Sequence, residues 1–323
     1  MREFSKPKVV VSKCIEFSAC RYNGDKLTDQ TVHNLKPFVE FIPVCPEVEI
    51  GLGTPREVIR LVADGEQDLL VQPKTGKDLT NVMEEFAENF LADLKDVDGF
   101  ILKNRSPSCG ITDVKVYSGL EKSPTVRTGS GAFTSKIFEY YPKTTIEDEG
   151  RLKNFKIREH YLTKLFTTTD FKKVKSTLKL NHLNDFHKRN KYLFMAYNQK
   201  RLKLLGQILS NKEKRPIEET FSLYEEELFQ LFSRIPRYTS NINVCQRIFG
   251  YFSPHLSTKE KEYFLETLEK YREKKLPISS VVSILKAWAY RFENDFMLEQ
   301  TFFEPYPEQL VEISDSGKGR NYS

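Results

Sequence analysis

The sequence predicts an α/β fold, a Rossmann-like layered arrangement with a mainly parallel sheet, followed by a second, all-helical domain. Two observations carry this, and a third, the placing of the cysteines, points to where the chemistry sits. Up to about residue 150, short β-rich runs alternate with amphipathic segments. Beyond that point glycine becomes sparse and long helical periodicities take over. Four of the five cysteines, at 14, 20, 45 and 109, fall in the first 109 of 323 residues, and the fifth is at 245.

Taken in order, Val9-Val10-Val11 reads as a buried strand, and residues 38–44, 68–72 and 99–102 read as three more. Residues 27–35 form a first helix candidate. Thr54-Pro55-Arg56-Glu57 carries a helix-start signature, with Thr54 as N-cap, Pro55 in the first turn and Glu57 closing a capping box. Residues 82–94 form another helix, in which Val82, Phe86, Phe90 and Leu94 recur every four residues and predict one apolar face. The helical half reads as helices over 151–166, 182–197, 199–209, 217–232, 240–252, 257–273 and 278–296, with Ser257 and Glu260 forming a capping box. The expected organisation is an α/β domain over 1–150, a connecting helix over 151–170, an all-helical domain over 171–313 and a disordered polar tail over 314–323.

With 39% hydrophobic and 29% charged residues, the chain can bury a sizeable core. No apolar run approaches the roughly 18–20 residues that span a bilayer. Residues 1–11 lack the apolar stretch of a secretory signal, so a soluble cytoplasmic protein is expected. An odd number of cysteines in such a chain argues against a disulfide framework and for thiol chemistry or metal ligation. The net charge of +5 is uneven: residues 151–215 hold 18 Lys and Arg against four acidic residues, leaving the remainder at −9. This basic stretch is either a set of solvated helix faces or a surface for a polyanion.

Cys14, Cys45 and Cys109 each fall shortly after a strand candidate. In an open parallel sheet the carboxyl ends of the strands share one edge, where ligands bind. Three converging thiolates could hold an iron–sulfur cluster or a zinc ion. The close C-x-x-C pairs of structural zinc sites and the usual ferredoxin spacing are both absent. Three ligands would leave a position open for a substrate. Cys20 reads as a neighbouring structural thiol in preference to a fourth ligand, and Cys245 as a core residue. His182 and His187, five residues apart on one helix, face about 140° away from each other and do not form a metal pair.

Six motifs carry a resemblance: Ser12-Lys13-Cys14; Cys20-Arg21-Tyr22-Asn23-Gly24; Pro43-Val44-Cys45-Pro46-Glu47; Gly51-Leu52-Gly53-Thr54-Pro55-Arg56-Glu57; Lys77-Asp78-Leu79-Thr80; and Leu102-Lys103 with Ser106-Pro107-Ser108-Cys109-Gly110. In content, order and spacing they resemble the TudS-type thiouracil desulfidase family. Phe186-His187-Lys188, Leu205-Gly206, Gly250-Tyr251-Phe252 and Pro305-Tyr306-Pro307 resemble the YbgA-type domain often fused to it. The first loop departs from the family pattern, with Ile15-Glu16-Phe17 in place of Leu-x-Gly and Asn23 in place of Asp. That loop is expected to shape the pocket differently.

The resemblance implies a 4Fe–4S cluster held by Cys14, Cys45 and Cys109, and a redox-neutral exchange of a thiocarbonyl for a carbonyl with release of hydrosulfide. Two-domain chains of this type resemble enzymes that remove sulfur from 4-thiouridine in tRNA, which makes tRNA the expected partner of the basic helices. Glu47, two residues from a proposed ligand, is the candidate general base, with a salt bridge to Arg56 as its structural alternative. Ser106 is the candidate proton relay and Ser108 the runner-up. Arg56 and Glu57 are read as helix-start residues or substrate contacts. The competing readings are a salvage desulfidase of free thiouracil or thionucleosides, and a non-enzymatic Fe–S or zinc protein that binds nucleic acid and senses redox state.

Overall fold

A computed structural model describes residues 2–65, 67–120 and 123–312, so the predicted tail lies outside the described residues. The chain divides into two compact units: one reaches to Thr169 and includes the segment from Gln309, and the other spans Asp170–Glu308.

The first unit holds two sheets. β1 (Lys8–Ser12), β2 (Glu40–Val44), β6 (Gly99–Leu102) and β9 (Thr145–Asp148) form an all-parallel sheet in the order β2-β1-β6-β9. Val9, Val10 and Val11 are completely buried, as expected of a strand covered on both faces. Pro43 pairs with Val11 on β2, the edge strand, where a missing N–H can be tolerated. A Cβ on Gly99 would stand 2.9 Å from Leu165 Cδ1, so glycine there lets α5 (Phe155–Lys175) lie close to β6.

The second sheet was not expected. β3 (Arg60–Asp64), β4 (Gln67–Gln72), β5 (Lys77–Asp78), β7 (Val114–Tyr117) and β8 (Thr125–Gly129) form it in the order β5-β4-β3-β7-β8. Only its β3–β7 pairing is parallel. The parallel character therefore belongs to the first sheet.

The helices of this unit are α1 (Gln30–Leu35), α2 (Pro46–Glu49), α3 (Thr80–Asp93) and α4 (Ala132–Tyr140), and the division between units falls inside α5. α3 buries Met83, Ala87 and Leu91, with Phe86 and Phe90 packed at the margin and Val82 exposed. The apolar stripe thus runs one residue on from the expected one, because Phe86 and Phe90 reach Phe133 of α4 from the side. The helix predicted from Thr54 does not form. Arg60, Leu61 and Val62, which follow, go into β3, and Arg56 is drawn away by tertiary partners.

The second unit is helical, with α6 (Leu180–Arg189), α7 (Lys191–Tyr197), α8 (Gln199–Ser210), α9 (Ile217–Leu231), α10 (Tyr238–Phe252), α11 (Thr258–Arg272), α12 (Ile278–Arg291) and α13 (Asp295–Leu298). The expected 182–197 helix is two helices. Asn190 interrupts it, its buried amide donating to the Phe186 carbonyl at 2.8 Å and accepting from Thr301 at 2.7 Å. The expected 278–296 helix breaks likewise, at Glu293 (φ +47°), before Asn294 caps α13. The capping box of Ser257 and Glu260 forms as predicted. Cys245 sits in the core of this unit, its thiol pushed up to about 12 by burial.

His187 Nδ1 lies 2.9 Å from the Tyr224 hydroxyl, while His182 Nδ1 meets Thr177, so the two imidazoles have separate partners. Burial lowers His187 to about 4, keeping it neutral. Part of the basic stretch is offset by α9: Lys175, Arg201 and Arg215 pair with Glu225, Glu227 and Glu219. No helix of the described residues is long and apolar enough to cross a membrane.

Candidate active site

The order β2-β1-β6 makes three cysteine-bearing strand ends neighbours. Cys14 lies two residues beyond β1, Cys45 directly beyond β2, and Cys109 in the loop that follows β6. All five cysteines of the chain are free thiols and all are buried. The thiol of Cys20 is in hydrogen-bonding reach of Cys14 and Cys45, and Cys109 is electrostatically coupled to Cys45. Cys20 and Cys45 are thus the two inner members of a run of four thiols.

Each thiol is positioned by backbone bonding. Lys13 N–H donates to the Val44 carbonyl at 2.8 Å, joining the ends of β1 and β2. The Cys45 carbonyl accepts from Val48 and Glu49 at 3.0 Å each, with Pro46 in the first turn of α2, which sets Glu47 beside the thiols. The Cys109 loop is seated on the start of α4. Ala132 N–H donates to the Pro107 carbonyl and Phe133 N–H to the Ser108 carbonyl, both at 3.0 Å, so loop carbonyls serve where no side chain caps the helix. Behind the loop, Lys103 pairs with buried Glu149 at 2.5 Å, and Asn104 N–H donates to the other Glu149 oxygen at 2.8 Å.

The approach of loop and helix requires glycine at 131. A Cβ there would stand 2.5 Å from the Ser108 carbonyl and 2.9 Å from the Cys109 nitrogen, all backbone atoms. Gly131→Ala is expected to cost about 1–3 kcal/mol by overpacking and to displace Cys109. A thermal melt and the iron content after reconstitution check this. Gly119→Ala, whose Cβ would meet Ser123 Cβ only at 3.8 Å, should leave both unchanged.

Glu47 is the hub of the polar groups. Its Oε2 accepts from Arg56 Nε at 2.8 Å and Nη2 at 2.5 Å, in an ion pair whose side chains are 12% and 4% exposed. Its Oε1 accepts from the Ser108 hydroxyl at 3.0 Å and the Ser106 hydroxyl at 3.3 Å. Ser106 Oγ also accepts the N–H groups of Ser108 and Cys109 at 3.2 Å each, which aims its single proton at Glu47. Ser108 is fully buried, whereas Ser106 is half-buried.

The structure thus brings together Glu47, Ser106, Ser108 and the strand-end thiols, and it realises the Arg56 ion pair. Arg56 also donates from Nη1 to the Cys20 and Gly53 carbonyls at 3.0 and 2.9 Å. Glu57 turns away to pair with Lys74. Ser12 was not singled out by itself. Its Oγ accepts from Lys103 N–H at 2.9 Å and hydrogen-bonds the Cys109 thiol.

Contact with the Cys20 thiol, then burial, pushes the Cys45 thiol up; burial pushes up Cys109; contact with Cys14 pushes up Cys20. These thiols keep their protons at neutral pH until a metal replaces them, so loading would release protons. Buried sulfur donors of this kind suit soft metals. Among the described residues, no three Cys, His, Asp or Glu side chains converge closely enough to share one metal ion. A cluster that offers a separate iron to each thiolate does not require such convergence.

The chain is similar to known proteins over two separate stretches. The family model described as 2-thiouracil desulfurase matches residues 9–149, and that of a protein of unknown function, DUF1722, matches residues 191–307. The uncharacterized protein YbbK of Bacillus subtilis is 32% identical over 148 residues, 44% of this chain and 96% of that one. The uncharacterized protein YbgA of Escherichia coli is 23% identical over 136 residues, 42% of this chain and 80% of that one. A solved structure, the [4Fe-4S]-dependent thiouracil desulfidase TudS, aligns at 27% identity and a TM-score of 0.37, over 46% of this chain and 93% of that chain.

Proposed function

Because the chain belongs to the 2-thiouracil desulfurase family through residues 9–149, we propose that it is a 4Fe–4S-dependent desulfidase that converts 4-thiouridine in tRNA to uridine. The observation that carries this reading is the run of strand-end thiols beside a carboxylate that accepts two hydroxyl hydrogen bonds. Cys14, Cys45 and Cys109 are the residues that would hold the cluster. When bound, it supplies a thiophilic Lewis acid for the thiocarbonyl sulfur, which makes the ring carbon electrophilic.

The protein's own groups manage water and protons. Glu47 Oε1 takes a proton from the attacking water. Arg56 fixes the other carboxylate oxygen, so Oε1 stays turned to the serines. Half-buried Ser106 passes the proton between Glu47 and the reacting ring, and buried Ser108 holds Glu47 in place. The balance is thiocarbonyl base plus water giving carbonyl base plus hydrogen sulfide, released as hydrosulfide and a proton, with no electron gained or lost.

The helical unit supports an RNA substrate. Lys173, Lys179, Lys200, Lys203, Lys212 and Lys214 are exposed on it and suit phosphate contacts. A thiolated base within folded tRNA must be unstacked to reach a buried site, and a separate binding unit can hold the RNA while that happens. With about five phosphate contacts, affinity for tRNA should fall roughly 130- to 500-fold between 50 and 200 mM salt. Turnover of free thiouracil should be nearly constant over the same range. Filter binding and an absorbance assay, run side by side, check both.

The second reading is a desulfidase of free thiouracil or a thionucleoside, favoured by the confinement of the family match to residues 9–149. A head-to-head assay on thiolated tRNA and free thiouracil separates the two. Faster turnover of the free base, with tRNA binding indifferent to salt, would favour the second.

A further inference from the structure

We propose that the ring of Tyr22 is the surface on which the thiolated pyrimidine stacks, so that Tyr22 binds the face of the base while Glu47 and the serines address its edge. The inference rests on the desulfidase reading and deepens it.

Tyr22 belongs to the Cys20-Arg21-Tyr22-Asn23-Gly24 motif and is 45% exposed. A single exposed tyrosine is ordinary on a protein surface. This one is anchored to the reacting groups. Its main-chain carbonyl accepts from the Arg56 N–H at 2.8 Å, and the Cys20 carbonyl, two residues earlier, accepts from Arg56 Nη1 at 3.0 Å. The same guanidinium binds Glu47 Oε2 through Nε at 2.8 Å. Both ends of the loop are tied to the thiol-bearing residues. The Cys45 thiol faces the Cys20 carbonyl at 3.8 Å, and Leu27 N–H donates to the Cys14 carbonyl at 2.8 Å. Between those ties the chain reverses at Gly24 (φ +81°), whose N–H donates to the Arg21 carbonyl at 2.8 Å. Arg56 thus sets the residue that carries the ring and the carboxylate that would activate water in one frame.

The groups already assigned act on edges. Glu47, Ser106 and Ser108 present oxygens, and the cysteines present sulfur. None of them covers the flat face of a pyrimidine, which must leave water when the base enters. Tyr22 can cover it. The Arg21 guanidinium carbon stands over one face of its ring, 6.0 Å from the centre, and among the described residues no second ring or cation is in contact with it. Its hydroxyl makes no hydrogen bond among the described residues, so the loop offers the ring rather than the hydroxyl. A loop fastened before the substrate arrives loses little freedom on binding, which leaves more of the stacking energy as affinity. Every pyrimidine has a π face, so the contact accepts the thiolated and the oxygenated base alike. Selection for sulfur is left to the thiol-bearing edge. Attack on one ring carbon leaves most of that face unchanged, so the contact is equally strong before and during reaction.

The test uses the full-length chain, loaded anaerobically with iron and sulfide, as wild type, Tyr22→Ala and Tyr22→Phe. Two measurements are made on each: calorimetric binding of uridine, which carries the same face and cannot react, and steady-state turnover of 4-thiouridine. Loss of one base–aromatic stack is worth about 5- to 140-fold in affinity. Tyr22→Ala should weaken uridine binding and raise KM by that factor, with kcat, iron content and thermal melt unchanged, the signature of a contact made equally in ground and transition states. Tyr22→Phe should match the wild type throughout. Unchanged uridine affinity and KM in Tyr22→Ala overturn the assignment, and so does a loss that Tyr22→Phe shares. Should Tyr22→Ala not fold, Tyr22→Leu takes its place, with the same losses expected and the same unchanged values overturning. A wild type that binds uridine through Tyr22 but leaves 4-thiouridine intact refutes the desulfidase reading and upholds the stacking assignment. Turnover indifferent to Tyr22→Ala does the reverse.

Discussion

Glu47→Gln is expected to lower the desulfidation rate by about 10²- to 10⁴-fold, the usual worth of a positioned general base, without loss of iron. The amide is nearly isosteric and can keep hydrogen bonds to Arg56 and the serines, but it cannot take a proton from water. The same substitution removes the counter-charge of Arg56, a guanidinium whose side chain is 4% exposed. Breaking one side of a buried ion pair costs about 3–5 kcal/mol, reduced here by the Cys20 and Gly53 carbonyls that Arg56 retains. A slow but folded and iron-loaded variant is therefore the expected result, measured by single-turnover rate, thermal melt and iron content together. Glu49→Gln, on the exposed side of α2, should change none of them. A Glu47→Gln enzyme at the wild-type rate would show that Glu47 serves only its salt bridge.

The second large effect falls on the strand-end thiols. Cys14→Ser, Cys45→Ser and Cys109→Ser should each abolish or severely reduce iron loading, and turnover with it. A serine hydroxyl is a hard, weakly acidic donor in place of a soft thiolate. Cys245→Ser should leave iron and turnover intact, because that thiol lies in the helical core remote in sequence from the motifs. Iron and acid-labile sulfide per chain, after reconstitution, are the measurements. Full loading of any one of the three strand-end variants would remove that cysteine from the ligand set.

Much of the site was legible because it depends on local order. Val9-Val10-Val11 and Gly99–Leu102 are unbroken apolar runs, so the sequence alone sets the residues just after them at a common sheet edge. Glu47 was visible from its distance to Cys45. The role of Arg56 was less legible. Thr54-Pro55-Arg56-Glu57 carries local signals for a helix start, but the partners that decide its conformation are Cys20 and Glu47, distant in sequence.

The second sheet was hidden for a related reason. β8 is largely exposed and β5 has only two residues, so neither leaves a hydrophobic period to detect. α4 carries no start signal in the sequence because its N-terminus has no capping side chain; the carbonyls of the cysteine loop take that place. In the helical half, Asn190 and Asn294 divide two predicted helices, since their amides compete with backbone partners that periodicity alone cannot register. The charge imbalance of residues 151–215 was clear, but its partial neutralisation by α9 needed the fold.

The central claim is tested most directly by the full-length chain, purified without oxygen and fully loaded with iron and sulfide. It would be mixed with tRNA containing 4-thiouridine while the ultraviolet band of the thiolated base and the release of hydrosulfide are followed together. The proposed function predicts loss of the band with one hydrosulfide appearing per base converted, and no added reductant or oxidant. A band that persists with the cluster intact would contradict it.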